Sequence, residues 1–426
     1  YRGGAWNFNE GNCRSAYRNN GTPSIRSCPS GFRLARTLPP PPEAVVLNTC
    51  AAATMPSIAV DSTTVKISWS QSSAGNFASY KIYYSQTPGV SLSSTLGATI
   101  TTVDSLKITI SGLTADTIYY FRVYVFDNGG LSAGSNEIAI RTDYQSVSGI
   151  LMRIVEPIGG NPHGIEYNYY IGKYEVTNEE YALVLNWAKN QGKIAGGTEN
   201  NYAQAGTITD RISWNGGLTR YEVTATFEKH PVTNVSYNDI GVWLNWLSEM
   251  EGLTPAFAGV SADPSGGFDT SVNGYRLPEN GEWTYATIGP NVENDANTSA
   301  DWYYPWVQPD GTLTMRFNSS TYTHPWTVTP RTTLVGFFNG YTNIREDWGW
   351  TAGPDTLATL ANLSYIGALD MAGNVIEWTT QINTTSRAYR GGSWASAATN
   401  CRSAYRSYST PSVRSNIVGF RFARTY

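Results

Sequence analysis

The four cysteines are the residues of this chain best suited to redox or metal chemistry, and their positions limit both. Cys13, Cys28, Cys50 and Cys401 are too few for a disulfide framework, and none stand at the short spacing of a zinc site. Cys13 and Cys28 could close a small loop in an oxidising compartment. The thiols therefore predict neither a stapled scaffold nor a zinc centre, and the disulfide state of all four stays open.

Arginines are the second group of residues that could bind a ligand or take part in chemistry. They recur in the last part of the chain, at Arg390, Arg402, Arg406, Arg421 and Arg424. Such a cluster could bind an anionic ligand. A guanidinium also makes bidentate hydrogen bonds to carbonyl and carboxylate groups. Since the arginines recur with Gly-Phe-Arg and Ala-Tyr-Arg spacing, we predict that they hold loops in place by such hydrogen bonds rather than bind a ligand.

Composition excludes several classes of function. Charged residues make up 15% of the chain and aromatic residues 13%, with a net charge of −4 and a pI near 5.5. Such a chain offers no electrostatic attraction to nucleic acid or to an anionic membrane. No apolar run of about 18 residues predicts a membrane span. Low charge with many Gly, Thr, Ser, Asn and Tyr residues is typical of secreted surface proteins, so we expect an extracellular or cell-surface location.

The chain closes with a segment that also opens it. Residues 1–38 and 389–426 align without a gap and agree at 23 of 38 positions, far above chance. A segment of this length holds too little apolar mass for a core of its own. We therefore interpret 1–38 as the C-terminal segment of a second domain of the same kind. It is either a remnant of a preceding domain or a segment that packs on a neighbouring subunit.

The apolar residues of 1–38 predict an assembly. Four of them correspond to positions 394, 405, 420 and 422 of the closing segment, namely Trp6, Tyr17, Phe32 and Leu34. Left exposed, they would form an apolar patch of a kind that soluble proteins rarely leave uncovered. We expect other copies of the protein as partners, in a fibre or surface array. The polyproline run within the 39–54 linker would be a stiff joint of that array.

Residues 55–143 carry the pattern of an all-β sandwich. Short alternating segments (VKISWSQ, YKIYYS, SLKITISGL, IYYFRVYVFD and NEIAIRT) are separated by Gly- and Asn-containing turns. Trp69 stands where a sandwich buries its central tryptophan, and Leu113 with Tyr119 resembles a tyrosine corner. The segment resembles a fibronectin type III domain, and we predict that Trp69 and Tyr119 serve its core.

Residues 146–426 change to a few helices between long loops, which predicts an α+β domain. Thr177–Glu180 and Ser236–Asp239 each carry a capping box ahead of a helix. Pro278 stands at the predicted first position of a third helix. The apolar faces of the first two helices are predicted at Leu183, Val184 and Trp187, and at Ile240, Trp243, Leu244 and Leu247.

Ordered motifs across 148–426 resemble the formylglycine-generating enzyme (sulfatase-modifying factor) family: EVTNEEY, PVTNVSY, YRLPENGEW, LDMAGNVIEW, RGGSW, RSAYR and GFRFAR. The resemblance implies a C-type-lectin-like fold. Oxidising members convert a substrate cysteine to formylglycine with a copper-binding cysteine pair, which lies between the Gly-Gly-Ser turn and the Arg-rich stretch. Here the interval 394–400 contains no cysteine, and Cys401 stands just outside it.

A single thiol cannot form the two-coordinate dithiolate site that this chemistry requires. We therefore predict no catalytic residues, no copper and no formylglycine-generating activity. Iron-dependent relatives use three histidines of an extra helical domain, whereas His163, His230 and His324 are widely separated and no such domain is present.

One family site is carried over by the resemblance, a calcium site in LDMAGNVIEW. It places carboxylate oxygens at Asp370 and Glu377 and backbone carbonyls at Gly373 and Val375. Hard oxygen ligands on an irregular loop suit calcium. The alternative is that the two carboxylates only accept hydrogen bonds from the loop backbone, and both interpretations stay open.

Three hypotheses for function follow. The first is a non-catalytic extracellular structural or adhesive protein, and the third a functioning oxidase, which the missing cysteines disfavour. The second is a diversified binding module, since variable proteins of diversity-generating retroelements often end in a similar domain. The two copies of the closing segment differ at predicted loop positions, including 395, 399, 407 and 408. Ser407 and Tyr408 are therefore candidates to bind a glycan or another cell-surface ligand, although drift of surface loops explains the differences equally well.

Overall fold

The computed structural model describes residues 47–48, 62–194, 209, 211–257, 268–269, 271–293, 304–305, 317–321, 332–338, 342–344, 356–360 and 362–426. The predictions on residues 1–38 and on nearly all of the 39–54 linker lie outside the described residues. This applies to the assembly residues Trp6, Tyr17, Phe32 and Leu34 and to three of the four cysteines.

A two-sheet sandwich precedes the C-terminal domain. Its strands are β1 Leu47–Asn48, β2 Val65–Trp69, β3 Phe77–Ser85, β4 Thr95–Ile100, β5 Lys107–Ile110, β6 Ile118–Asp127, β7 Ser132–Gly134 and β8 Ile138–Arg141. One sheet has the order β1-β2-β5, and the other the order β4-β3-β6-β7 with β8 also paired to β6. Strand β4 has no counterpart in the predicted pattern, because its residues are mostly exposed and do not alternate between core and solvent.

The core of the sandwich confirms the two predicted aromatic positions. Trp69 is buried and packs edge-on against Tyr80, with ring centroids 5.4 Å apart. The hydroxyl of Tyr119 accepts a hydrogen bond from the backbone N–H of Thr114 at 3.0 Å, next to the buried Leu113. This is the tyrosine-corner arrangement, which fixes the loop that leads into β6.

The C-terminal domain has the predicted α+β architecture, with three helices and short strands among the described residues. Its elements are β9 Tyr144–Gln145, β10 Leu151–Val155, β11 Tyr169–Gly172, α1 Asn178–Asn190, β12 Ile212–Asn215, β13 Arg220–Val223, α2 Tyr237–Met250, β14 Tyr275–Arg276, α3 Asn280–Ile288, β15 Thr342–Ile344, β16 Thr356–Ala358, β17 Ile376–Asn383, β18 Ser386–Arg390, β19 Ser407–Ser409, β20 Val418–Gly419 and β21 Ala423–Thr425. A five-stranded sheet has the order β14-β21-β11-β10-β9, a four-stranded sheet the order β19-β18-β17-β20, and two hairpins pair β12 with β13 and β15 with β16.

Both predicted capping boxes are present. Thr177 and Glu180 cap α1, and Ser236 and Asp239 cap α2, each through reciprocal side chain-to-backbone hydrogen bonds. The predicted apolar face of α2 is fully buried. The aromatic ring of Trp243, on that face, stacks on Tyr181 of α1 with centroids 5.2 Å apart, so the two helices share one core.

Two helix predictions are wrong. Leu183 is 40% exposed, because α1 turns Tyr181, Val184 and Leu185 toward the core and Leu183 points away from them. The second concerns α3, which begins at Asn280 rather than at Pro278.

The start of α3 is set by hydrogen bonds on either side of the proline. The carboxylate of Glu282 accepts from the backbone N–H of Glu279 at 2.7 Å, which makes Glu279 the capping residue. The carbonyl of Pro278 accepts from Thr380 of β17, so the proline belongs to the approach to the helix.

The last part of the closing segment packs in the interior of the C-terminal domain. β21 pairs with β11 on one side and with β14 on the other, and β20 pairs with β17. Phe420 packs edge-on against Trp243 at 5.5 Å, and Phe422 against Tyr275 at 5.3 Å. A second copy of this segment would therefore need equivalents of these strands and aromatic residues to pack against.

Candidate functional site

The turn after β18 places Cys401 next to the interval 394–400, where the resemblance expects the copper-binding cysteine pair. Gly391 and Gly392 adopt φ values of +84° and +68°, a region that favours glycine. A Cβ at Gly392 would lie 2.7 Å from the sulfur of Cys401 and 2.5 Å from the carbonyl oxygen of Asn400. The thiol is fully buried, and its sulfur lies 3.7 Å from the carbonyl of Ala397. Burial raises the pKa of Cys401 to about 12, so the thiol stays protonated at neutral pH.

Of the four differing positions singled out from the sequence (395, 399, 407 and 408), three are exposed. Ala395 and Thr399 are exposed in the turn and short 3-10 segment after β18, and Tyr408 is 38% exposed on the edge strand β19. Ser407 is half-buried. In the described part of the chain, no hydrogen bond or ring contact joins the pair 395 and 399 to the pair 407 and 408. Ser407 and Tyr408 are thus neighbours on one strand rather than parts of a formed pocket.

Several positions that the two copies share are buried. Arg390, Cys401, Ser403, Phe420 and Arg421 are each fully buried. Burial does not fully separate shared from differing positions, because Ser393, Val418 and Phe422 differ between the copies and are buried as well.

Glu377, one of the predicted calcium ligands, is held by protein groups. Arg421 donates to both of its carboxylate oxygens, at 2.9, 2.7 and 2.6 Å. The indole N–H of Trp283 donates to one of the same oxygens at 2.7 Å. Both charged side chains are essentially inaccessible to solvent. This pair takes up the oxygens that a cation would need, so Glu377 could coordinate calcium only after rearrangement.

Asp370 is in a different situation. Its Oδ2 accepts from the backbone N–H of Gly336, while its buried Oδ1 has no hydrogen-bond partner. Burial raises the pKa of Asp370 to about 6. A free, buried carboxylate oxygen fits a cation ligand, so Asp370 suits the predicted site although Glu377 does not.

Gly373 and Val375 lie in the loop between these carboxylates, beside a third one that the sequence did not bring to attention. Glu175 accepts from the backbone N–H of Val375 at 2.9 Å and from the side-chain amide of Asn374 at 2.6 Å. Burial, together with Asp370 and Glu377, raises the pKa of Glu175 well above its ordinary value.

Glu175 belongs to the EVTNEEY motif, which carries no signal for a contact some 200 residues away. Among the residues that the structure describes, no group of three His, Cys, Asp or Glu side chains is arranged to hold a metal ion. The four-residue calcium site therefore stays a prediction, and of its two carboxylates only Asp370 has an oxygen without a hydrogen-bond partner.

The prediction that the arginines fix loops is confirmed for the described contacts. Arg390 donates to Glu293 at 2.6 Å and to the carbonyl of Ser403 at 2.7 Å, and Arg406 donates to the other oxygen of Glu293 at 2.6 Å. The guanidinium of Arg424 lies over the ring of Tyr170 at 5.4 Å. These side chains hold the closing segment to the rest of the domain.

Comparisons with known proteins identify two family domains. The model of the sulfatase-modifying factor enzyme 1-like domain matches residues 159–426, and that of the fibronectin type III domain matches residues 53–141. No curated protein matches the chain significantly. In the described residues, no helix is long and apolar enough to cross a membrane.

Solved structures share low sequence identity with the chain. Variable protein 1 of Treponema denticola is 20% identical, with a TM-score of 0.42, 67% of this chain covered and 99% of that one. CarF is 19% identical, with a TM-score of 0.37 and coverage of 66% and 100%. PvdO of Pseudomonas aeruginosa is 18% identical, with a TM-score of 0.35 and coverage of 67% and 98%.

Proposed function

The chain belongs to the family of the sulfatase-modifying factor enzyme 1-like domain, and we propose that it serves as a non-catalytic structural or adhesive protein outside the cell. One observation carries the proposal: the Cys401 thiol is fully buried, which raises its pKa to about 12. A protonated thiol without solvent access is a poor copper ligand and a poor nucleophile. The interval 394–400 supplies no second cysteine, so the dithiolate that the oxidase reaction needs cannot form there.

The test is turnover of a cysteine-containing sulfatase peptide by the copper-loaded protein. We expect no turnover above that of the Cys401→Ala variant. Turnover that disappears on Cys401→Ala or Cys401→Ser would show an active oxidase and overturn the proposal.

The structural role is further supported by the repeated segment. In the C-terminal domain this segment supplies β21 between β11 and β14, and Arg421 for Glu377. Residues 1–38 carry the counterparts Phe32 and Arg33, which need partners of the same kind. We propose that they pack on another domain of this type, so that the chain is one unit of a secreted fibre or surface array.

Light scattering over a concentration series, together with limited proteolysis, tests this assembly. We expect the unaltered chain to self-associate or to protect residues 1–38 from the protease. Phe32→Asp should abolish whichever of these two behaviours is seen. Asn20→Asp, which adds a charge at a position where the copies differ, is the matched control and should change neither. A monodisperse monomer with residues 1–38 readily cleaved would contradict the array.

A second candidate function, ligand binding, is favoured by the exposed Tyr408. Tyrosine offers a large apolar face with a polar end at low entropic cost, and the residue differs between the copies. We propose a glycan or a cell-surface protein as the ligand class. Binding to a glycan array should fall on Tyr408→Ala and not on Tyr365→Ala, which removes another tyrosine of similar exposure (44%). Equal loss in both variants, or no binding, would remove this candidate.

A further inference from the structure

The chain passes from the sandwich to the C-terminal domain with no spacer. Strand β8 ends at Arg141, and β9 begins at Tyr144 and pairs with β10 of the C-terminal domain. The two residues between them, Thr142 and Asp143, are buried. The backbone N–H of Thr142 donates to Thr117 of the sandwich at 3.0 Å. Flexible linkers are exposed and make few contacts, and this connection has neither property.

Asp143 places a carboxylate between two cations of the C-terminal domain. One oxygen accepts from Arg153 of β10, and the other from Lys173, which follows β11. The side chains of Asp143 and Lys173 are 0% and 1% exposed. Arg153 also donates to the carbonyl of Ile366 at 2.9 Å, so the pair is tied into a third segment of the domain. Within the described residues, Asp143 is the one carboxylate paired with Lys173.

Weaker contacts surround this ion pair. Asp116, in the loop fixed by the tyrosine corner, accepts from Arg141 at 2.8 Å and from the hydroxyl of Tyr170 in β11 at 3.1 Å. Arg141 also reaches Glu156 of the C-terminal domain at 3.0 Å, where the glutamate side chain is 58% exposed. The Asp116 contact with Tyr170 brings the loop of the sandwich against the same strand that precedes Lys173.

We propose that Asp143 locks the sandwich and the C-terminal domain into one rigid body. Removing its charge would leave a buried ammonium beside a guanidinium, which a protein interior tolerates poorly. We expect the two domains to separate instead, because separation lets water solvate the ammonium group of Lys173. The inference does not depend on whether the chain forms an array; if it does, the rigid unit of that array is the pair of domains rather than each domain alone.

Distances between spin labels test the lock directly. The labels are placed at Thr101→Cys in the sandwich and Thr385→Cys in the C-terminal domain, with cysteines 13, 28 and 50 replaced by serine. We expect one narrow distance distribution in the otherwise unaltered chain and at least a twofold broadening on Asp143→Asn. Glu156→Gln removes the exposed ion pair at the same joint and should leave the distribution narrow.

Calorimetry separates loss of the lock from loss of folding. We expect a single unfolding transition in the unaltered chain and two transitions in Asp143→Asn, each belonging to a folded domain. Lys173→Gln removes the buried ammonium instead and should broaden the distance distribution in the same way. It serves as the test variant if Asp143→Asn does not fold. A broad distance distribution in the unaltered chain would overturn the proposal, and so would a narrow one in both Asp143→Asn and Lys173→Gln.

Discussion

Buried charge decides the behaviour of single residues in this molecule. Glu175, Asp370 and Glu377 lie in one buried cluster with Arg421, so full ionisation would leave three negative charges against one positive. The raised pKa values of Glu175 and Asp370 follow from that imbalance and from burial. Either protons or a bound cation must compensate for it.

Calcium at Asp370, Gly373, Val375 and Glu377 stays a prediction, and it has a pH signature. Because the pKa of Asp370 is raised to about 6, a cation must displace a proton below that pH and meets an ionised carboxylate above it. We expect millimolar calcium to raise the melting temperature relative to a chelator more at pH 8 than at pH 5. Asp370→Asn should abolish the difference. Equal melting temperatures with calcium and chelator at pH 8 would leave the hydrogen-bonding role alone.

His230 should make stability fall on mild acidification. Burial, with a smaller effect from Arg211, lowers its pKa from 6.5 to about 4, so the unfolded chain binds a proton more readily than the folded one. The stabilisation is therefore complete above pH 6.5 and is lost as the pH falls toward 4, by about 3 kcal/mol in total. Urea unfolding from pH 7 to pH 4 measures it. The slope should flatten in His230→Asn and persist in His163→Asn.

At the scale of elements, helix boundaries follow from local bonds and helix faces from what packs on them. The hydroxyl of Thr177 accepts from the backbone N–H of Glu180 at 3.2 Å, a bond within four residues of sequence. The exposure of Leu183 has no such local cause, because the position of α2 decides which side of α1 is covered.

Two variants of α1 separate these effects. Thr177→Ala removes the cap and should lower the free energy of unfolding by about 1 kcal/mol. Leu183→Ala should change it by less than about 0.5 kcal/mol, because the side chain is largely solvated. Were Leu183 part of the core, the loss would be about 2–5 kcal/mol. Chemical denaturation of both variants distinguishes the two faces.

At the scale of the whole molecule, the contact between the two domains should persist to a lower pH than the stabilisation that neutral His230 gives the C-terminal domain. Burial opposes ionisation of Asp143, but Lys173 and Arg153 outweigh it and hold its pKa below the ordinary value of 3.8. The pair therefore contributes fully above pH 3.8 and is lost only as the pH falls below that value, whereas His230 acts between pH 6.5 and 4. Spin-label distances followed from pH 7 to pH 3 should stay narrow down to about pH 4. Broadening that begins near pH 6 would contradict this order.

The sequence by itself determined the features that rest on local bonds and periodicity. These are the sandwich with Trp69 and the tyrosine corner, the capping boxes of α1 and α2, the α+β class and the family. The tertiary structure alone decided which charged groups meet. Glu377 with Arg421, Glu175 with the loop at Val375, and Asp143 with Lys173 are contacts between segments that carry no shared pattern. Their partners are chosen by how the sheets pack and how deeply each charge is removed from water, and neither quantity is written in residue spacing.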